Sequence, residues 1–215
     1  MRYRGVVFDM DGLMFDTERL TFELQREILK AHGYDWTLEL YKQTVGLRTE
    51  DLIPFFRKFG GEDFDIGAFR GECRKAYREY TDKFGVPVKD GLFELLELLK
   101  REEIKIALAT STTEQSAVRT LKIAGVLDYF DALVCAGDVE NGKPAPDPFL
   151  KAAEKLGLEP ADCAALEDSL NGIRSAHAAG MAAIMIPDLI APTDEIRGMC
   201  EAVLNSLRDV EKAIR

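Results

Sequence analysis

The sequence predicts an α/β protein whose parallel sheet is interrupted, after its first strand, by an inserted all-helical segment. From residue 86 onward, short apolar runs alternate with amphipathic helical patterns, which is typical of a parallel sheet with right-handed helical crossovers. A first apolar run at residues 6–8 is separated from that region by helical patterns alone. We therefore predict an α/β core formed by residues 1–16 and 86–215, and a helical domain formed by residues 17–85.

The composition is that of a globular protein and limits its partners. Hydrophobic residues make up 47% of the 215 residues and charged residues 31%, so the chain can bury a core. It has 38 acidic and 28 basic residues and a net charge of −10, which argues against general nucleic-acid binding. No apolar run approaches the length of a membrane span. The start of the chain has no signal-peptide pattern and the cysteines are scattered, so we expect a cytoplasmic protein.

The inserted segment contains helical patterns and no convincing strand. Apolar residues recur at helical spacing in the first pattern, for example at Leu20, Leu24 and Ile28. Pro54 lies inside the third pattern, which suggests a helix that starts late or bends. The predicted helices cover residues 17–31, 38–45, 49–59 and 66–84.

Strands and helices alternate in the remainder of the chain. Short apolar runs that end in polar or turn residues predict buried strands. Glycines at the ends of several amphipathic segments predict where those helices stop. The predicted strands are residues 104–109, 132–136, 163–166 and 182–186, and the predicted helices are residues 91–100, 113–124, 149–156, 171–179 and about 204–214.

Two aspartates follow the first strand at once. Val6, Val7 and Phe8 lead into Asp9 and Asp11, at the end of a strand where ligands bind in open α/β sheets. Two carboxylates this close are costly unless a cation neutralises them or one takes a proton. The pair therefore suggests a hard metal ion with acid–base chemistry beside it. The alternative is a pair of aspartates that caps a turn or a helix.

Further polar side chains follow the later strands of the same predicted sheet. Because parallel strands present their carboxyl ends at one edge, these residues can meet although they are distant in sequence. They are Thr110 and Ser111 after the second strand, Lys143 in the loop after the third, and Glu167 and Asp168 after the fourth.

This set of side chains fits phosphoryl transfer. Asp9 and Asp168, with Glu167 as a third candidate oxygen ligand, suit Mg2+, which binds few carboxylates together with phosphate. Ammonium and hydroxyl groups hold phosphate oxygens, and a carboxylate can accept the phosphoryl group as an aspartyl phosphate. Each residue alone has an ordinary alternative, namely a surface lysine, a helix cap or an acidic helix start. The combination outweighs these alternatives.

The same residues resemble the signature motifs of a known family. Asp9-Met10-Asp11-Gly12, Thr110, Lys143-Pro144 and Glu167-Asp168-Ser169 resemble, in order, the four motifs of the haloacid dehalogenase (HAD) superfamily of phosphohydrolases. The helical insertion resembles the cap domain of its β-phosphoglucomutase-like branch. The stretch from Asp9 to Leu20 is similar to pseudouridine-5′-phosphatase and 2-deoxyglucose-6-phosphatase relatives. The resemblance implies a Rossmann-like core with a helical cap.

The resemblance also implies a role for each matching residue. Asp9 is implied as the nucleophile and a Mg2+ ligand. Asp11 is implied as the general acid and base, with its backbone carbonyl on the metal. The other implied roles are phosphate binding by Thr110, the Ser111 backbone N–H and Lys143, and Mg2+ binding by Asp168 and Glu167.

The implied substrate is a small sugar phosphate or nucleoside monophosphate, and the cap is implied to select it. The cap candidates are Glu18, Thr21 and Arg48. β-Phosphoglucomutases carry a histidine at the position of Thr21 and an arginine at that of Thr49, so we predict a phosphatase rather than a phosphomutase. The remaining alternatives are a metal-independent dehalogenase and a non-enzymatic binding protein. We expect a monomer or a weak homodimer.

Overall fold

The computed structural model describes residues 1–47 and 49–215, with the backbone alone at residues 49 and 50. The chain divides into two compact units. Thr17–Gly85 form the first, here called the helical unit, and Met1–Asp16 together with Val86–Arg215 form the second, here called the core unit. The candidate residue Arg48 lies outside the described residues.

The helical unit is built around a cluster of aromatic rings. Its helices are α1 (Thr17–Ala31), α2 (Leu38–Lys42), α3 (Thr49–Gly60) and α4 (Ile66–Phe84). Trp36 is buried; it stacks on Phe56 with ring centroids 5.5 Å apart and meets Phe59 edge-on at 5.0 Å. Burial of such large rings and their edge-to-face contacts stabilises a small helical layer.

Two of the four predicted helices in this unit have the predicted bounds, and two differ. The predictions for residues 17–31 and 66–84 are confirmed. The second helix ends at Lys42 instead of residue 45, in a turn where the Thr44 hydroxyl donates to the Tyr41 carbonyl. The third helix includes Pro54, begins at residue 49 as predicted and ends at Gly60, one residue later than predicted. Of the two effects expected of the proline, a late start or a bend, the late start is wrong.

A parallel six-stranded sheet forms the centre of the core unit, which confirms the predicted fold class. Its strands are β1 (Gly5–Phe8), β2 (Lys105–Thr113), β3 (Ala132–Ala136), β4 (Cys163–Glu167), β5 (Ala182–Met185) and β6 (Ala202–Val203). Their order across the sheet is β3-β2-β1-β4-β5-β6, with every neighbouring pair parallel. β1 is therefore central, and Phe8 lies level with Leu108 on one side and Leu166 on the other.

Helices cover both faces of this sheet. They are α5 (Leu92–Arg101), α6 (Glu114–Ile123), α7 (Asp147–Leu156), α8 (Leu170–Ala178), α9 (Asp194–Met199) and α10 (Val210–Ile214). Alternate residues of β1 belong to two separate apolar clusters, Val6 and Phe8 to one and Val7 to the other. Because successive strand side chains point to opposite faces, this division shows that the sheet is buried on both sides.

The end of the chain differs from the prediction. The single helix expected near residues 204–214 is wrong, since residues 202–203 form β6, residues 207–209 a 3-10 turn, and only residues 210–214 an α-helix. α9 was not predicted, although Thr193 caps it by accepting a hydrogen bond from the Ile196 N–H. Within the described ranges, none of the helices combines the length and apolar character needed to cross a membrane.

The core unit brings the two ends of its interrupted chain together. Phe15 forms an antiparallel bridge with Val88, the Asp16 N–H donates to the Pro87 carbonyl at 2.9 Å, and the Lys89 N–H donates to the Met14 carbonyl at 2.9 Å. The chain therefore leaves and re-enters the core unit on paired segments.

Candidate active site

The first candidate carboxylate lies where the central strand ends. Asp9 directly follows β1, and its backbone N–H donates to the Leu166 carbonyl of β4 at 3.0 Å. Only 8% of the residue is exposed. The buried strand therefore delivers a carboxylate to the carboxyl edge of the sheet, where water is largely excluded.

Lys143 joins this carboxylate to a second one. Its Nζ atom lies 2.5 Å from Asp9 Oδ1 and 2.5 Å from Glu167 Oε1, and it donates to the Ala109 carbonyl at 2.9 Å. An ammonium group has three protons to donate, so these acceptors use all of them. Burial between two carboxylates makes Lys143 a fixed positive charge, and its pKa is raised because Asp9 and Glu167 outweigh the effect of desolvation.

Residues on α8 and α7 contact the loop that carries Lys143 and fix its position. The Ser175 hydroxyl, buried on α8, donates to the Ala145 carbonyl at 2.5 Å. The Phe149 ring at the start of α7 lies 5.2 Å from the ammonium nitrogen, a distance at which a cation and an aromatic face attract. α7 begins at Asp147, two residues earlier than predicted, with Pro148 in its first turn.

Glu167 is the most enclosed of the candidate carboxylates. Its exposed fraction is 0%, and its Oε2 accepts from the Asp168 N–H, the Ser169 N–H and the Ser169 hydroxyl at 3.0–3.1 Å. The same Ser169 hydroxyl caps α8 by accepting from the Gly172 N–H at 3.0 Å. The turn after β4 therefore fixes the carboxylate that holds Lys143.

Three of the predicted residues form a carboxylate cluster. Asp9, Glu167 and Asp168 each offer an oxygen within 4.8 Å of the others. Gly12 makes the approach of Asp168 feasible, because a Cβ at this position would lie 2.3 Å from Asp168 Oδ2. Oxygen donors of this kind suit Mg2+. The cluster holds three carboxylates, and the Lys143 ammonium pairs with Asp9 and Glu167. A divalent cation therefore fits both the donor type and the excess negative charge.

The raised pKa of Asp9 reflects burial and the excess negative charge of this cluster. The pKa of Asp9 is raised from an ordinary value of 3.8 to about 8; burial is the largest cause, and the Glu167 and Asp11 carboxylates contribute to the rise. The Lys143 ammonium opposes the rise without cancelling it. Ionised Asp9 therefore needs a further positive charge close by.

Asp11 has a hydrogen-bond partner outside this cluster. The Thr112 hydroxyl donates to Asp11 Oδ2 at 2.8 Å, a contact that the sequence analysis missed. The Thr112 backbone N–H also donates to the Thr110 hydroxyl oxygen at 3.1 Å. The sequence feature that could have indicated this role is the i, i+2 spacing of Thr110 and Thr112, which places both side chains on one face of an extended segment.

The predicted phosphate-binding residues follow the regular part of β2. Thr110 is buried, with 5% of the residue exposed, and Ser111 is exposed. β2 runs on to Thr113, beyond its predicted end at residue 109, because its pairing with β3 resumes after a register shift between Ala109 and Thr113. Such irregularities re-aim side chains next to active sites.

The remaining candidates belong to the helical unit. Glu18 and Thr21 both lie on α1 and are partly buried. The Tyr41 hydroxyl, on α2, donates to Glu18 Oε2 at 2.5 Å. Tyr41 was not singled out in the sequence.

Comparisons with known proteins identify the family. The model of the haloacid dehalogenase-like hydrolases matches residues 6–186. A phosphorylated carbohydrates phosphatase of Thermotoga maritima is 33% identical over 82% of each chain. A probable pseudouridine-5′-phosphatase of Drosophila melanogaster is 35% identical over 85% of this chain and 80% of its own. A crystal structure from Thermotoga maritima, provisionally assigned as a β-phosphoglucomutase, has a TM-score of 0.82, with 27% identity over 98% of each chain.

The chain therefore belongs to the haloacid dehalogenase-like hydrolases. Its relatives and structural neighbours assign it to the branch that resembles β-phosphoglucomutase. The resemblance drawn from the sequence motifs is confirmed, and the chain is an enzyme of the hydrolase class.

Proposed function

We propose that this hydrolase is a Mg2+-dependent phosphatase that acts on a small sugar phosphate or nucleoside monophosphate through an aspartyl phosphate. The observation that carries the proposal is the arrangement at the end of β1. Asp9 lies buried against the Lys143 ammonium and within a carboxylate cluster, with a second aspartate two residues further along the chain. That arrangement suits a carboxylate nucleophile beside a separate proton-transfer group.

The proposed metal ligands are Asp9, Asp168 and the Asp11 backbone carbonyl, with Glu167 as a direct or water-mediated partner. The oxygen donors and the excess negative charge of the cluster support this assignment. When bound, Mg2+ supplies charge neutralisation for Asp9 and for the phosphate oxygens. Four hydrogen bonds already engage Glu167, which favours an indirect role for this residue.

In the first proposed step, an Asp9 carboxylate oxygen attacks the substrate phosphorus. The bond between phosphorus and the ester oxygen breaks, and Asp11 donates a proton to the departing alkoxide. In the second step, Asp11 takes a proton from a water molecule that attacks the phosphorus of the aspartyl phosphate. The bond to Asp9 then breaks and inorganic phosphate leaves, so that both aspartates regain their initial states.

The proposed phosphate contacts come from Thr110, Ser111 and Lys143. Charge builds on the equatorial oxygens during transfer, so fixed donors that need no rearrangement lower the barrier. Lys143 provides a fixed positive charge for these oxygens, because its three N–H groups hold it against Asp9, Glu167 and the Ala109 carbonyl. The Thr110 hydroxyl is buried and already oriented by the Thr112 N–H.

The proposed substrate class rests on the relatives named above, which act on phosphorylated carbohydrates and pseudouridine 5′-phosphate by their names. We propose that Glu18, Thr21 and Arg48 contribute to substrate selection. Of these, Glu18 has the strongest support, because a buried tyrosine fixes its carboxylate.

Phosphate release from a panel of sugar phosphates and nucleoside monophosphates, with Mg2+ present, tests the proposal. We expect turnover of at least one member, complete loss in EDTA and recovery when excess Mg2+ is restored. The Asp9→Asn variant should lose turnover of p-nitrophenyl phosphate by at least about 10³-fold, since a nucleophile is removed. Unchanged rates in EDTA or in this variant would reject the metal-dependent covalent mechanism.

A phosphomutase is the second candidate, and the structural similarity to a protein assigned as a β-phosphoglucomutase favours it. It predicts conversion of β-glucose-1-phosphate to glucose-6-phosphate when a bisphosphate primer is supplied. Thr21 argues against it, because the mutases have a histidine there. Steady phosphate release without isomerisation would reject the mutase and support the phosphatase.

A further inference from the structure

Thr112 connects two parts of the candidate site that the sequence motifs treat separately. Its hydroxyl donates to Asp11 Oδ2 at 2.8 Å, and its backbone N–H donates to the Thr110 hydroxyl oxygen at 3.1 Å. We propose that Thr112 is a positioning residue, which fixes the Asp11 carboxyl for proton transfer in register with the phosphate-binding Thr110. The inference rests on the proposed function of Asp11.

The position of Thr112 is set by the sheet. It lies in the last part of β2, between Ala109 and Thr113, where the register with β3 shifts. Side chains two residues apart in extended backbone lie on the same face. Thr110 and Thr112 can therefore both point toward the candidate site, while pairing with β3 at Ala109 and Thr113 holds the segment on either side.

A hydrogen bond from Thr112 matters for Asp11 because Asp11 lies on a turn and not on a strand. It precedes Gly12, which has a φ of 83° and whose N–H donates to the Phe15 carbonyl at 2.9 Å. The Asp11 residue is partly exposed, so its carboxyl is less confined by packing than that of Asp9. A hydrogen bond from a residue of the sheet restricts its rotation.

Restricted rotation matters for proton transfer. A general acid or base works only when its oxygen is within hydrogen-bond reach of the reacting group. A displacement of about 1 Å costs up to about 100-fold in rate. The Thr112 hydroxyl links Asp11 to the strand that carries Thr110, so it contributes to setting this distance.

The alternative is that Thr112 binds the substrate itself. A binding role predicts a higher KM with kcat unchanged, whereas a positioning role predicts a lower kcat without any rise in KM. The two roles also differ with an aryl phosphate. An aryl oxide leaves without much protonation, so loss of Asp11 function slows the second step more than the first, and the aspartyl phosphate accumulates.

The test compares three purified variants with p-nitrophenyl phosphate as the probe. Thr112→Val removes the hydroxyl while keeping the side-chain shape, and Thr112→Ser keeps the hydroxyl. Thr113→Val is the matched control, because the Thr113 hydroxyl donates to Ser116 Oγ instead. We expect Thr112→Val to lose about 10- to 100-fold in kcat with a KM that falls and does not rise, and Thr112→Ser to stay within about threefold of the parent.

Rapid-mixing kinetics measure a burst of p-nitrophenol, which a purely structural role of Thr112 would not change. Thr112→Val should release a burst of p-nitrophenol, stoichiometric with enzyme, before the slow steady rate, while Thr113→Val behaves like the parent. A kcat for Thr112→Val within about twofold of the parent would overturn the inference, as would an equal loss in Thr112→Ser. A rise in KM alone would also overturn it, in favour of substrate binding.

Failure of the proposed function is distinguished by the parent chain, which would then release no p-nitrophenol at all. A crystal structure of Thr112→Val provides a measurement independent of turnover. The Asp11 carboxyl should leave its position in Thr112→Val and keep it in Thr112→Ser. An unmoved carboxyl in Thr112→Val would overturn the inference.

Discussion

Gly172 on α8 lies so close to Glu167 that any larger residue would collide with the carboxylate. A Cβ at Gly172 would lie 1.8 Å from the Glu167 carboxyl carbon and 1.9 Å from Oε1. The Glu167 side chain has little freedom to move away, because it is fully buried and its carboxylate accepts four hydrogen bonds, including one from Lys143. The helix therefore requires glycine here for the sake of the site.

We expect Gly172→Ala to weaken both the fold and the site. Overpacking a buried position costs about 1–3 kcal/mol in the free energy of unfolding. Displacement of Glu167 also releases Lys143 from its position against Asp9, so kcat should fall by at least about tenfold. Urea unfolding and turnover of p-nitrophenyl phosphate measure the two effects.

Gly71→Ala is the matched control for that substitution. Gly71 also lies inside a helix, α4, and among the described residues a Cβ there would meet no atom within 4 Å outside its own helix. Alanine in a helix interior is more stable than glycine by roughly 0.5–1 kcal/mol, so this variant should be slightly stabilised with unchanged turnover. A Gly172→Ala protein as stable and active as the parent would contradict the role of Gly172.

A second prediction concerns the charge of Asp9. Asn at this position removes one of two carboxylates that share the Lys143 ammonium and leaves Glu167 as its partner. In the absence of metal, Asp9→Asn should therefore be more stable than the parent near pH 8, although we expect it to lose activity. The parent retains a proton on Asp9 up to a pKa of about 8 in the folded chain, against an ordinary value of 3.8.

The pH dependence of that advantage follows from the raised pKa. The folded parent binds more protons than the unfolded chain between these two pKa values, so its stability falls as the pH rises through this interval. The advantage of Asp9→Asn should grow from about pH 4 to about pH 8, then level off. Urea unfolding in EDTA across this range measures it, and added Mg2+ should reduce the difference. A constant difference at all pH values would be inconsistent with a shifted Asp9.

The elements that local signals define could be predicted from sequence. α4 has the predicted bounds because the Asp65 side chain accepts from the Ala68 N–H at its start and Gly85, with a φ of 81°, ends it. The two-residue strand β6 could not be predicted in this way, since pairing with β5 alone makes it a strand. The extension of β2 past Ala109 likewise depends on β3.

In the candidate site too, some features follow from local sequence and others depend on tertiary packing. Strand ends in the sequence indicated that Asp9, Lys143 and Glu167 lie at one edge, and the structure brings these three together. The sequence could not indicate that Thr112 meets Asp11, because a turn and a shifted strand register decide which side chains face each other. Close approaches such as that of Gly172 to Glu167 depend on the packing of a helix against a strand end, which no local pattern encodes.

The third prediction concerns substrate selection by the helical unit. Tyr41 is buried, and its hydroxyl donates to the Glu18 carboxylate at 2.5 Å. Tyr41→Phe keeps the ring, which packs on Phe22 with centroids 5.5 Å apart, and removes the hydrogen bond. If Glu18 helps to select the substrate, its loosened carboxylate should raise KM for the preferred sugar or nucleoside phosphate by about three- to tenfold. That effect is a fraction of the net contribution of a hydrogen bond to a charged group, about 1.5–3 kcal/mol.

For p-nitrophenyl phosphate, which carries no sugar, kcat/KM should stay within about twofold of the parent. Tyr34→Phe is the matched control, because the Tyr34 hydroxyl donates to the Gly60 carbonyl at 3.1 Å and not to Glu18. Steady-state kinetics with both substrates separate a selective effect from a general one. Equal losses on the two substrates in Tyr41→Phe would show that the tyrosine supports the fold, and that Glu18 does not depend on it for substrate selection.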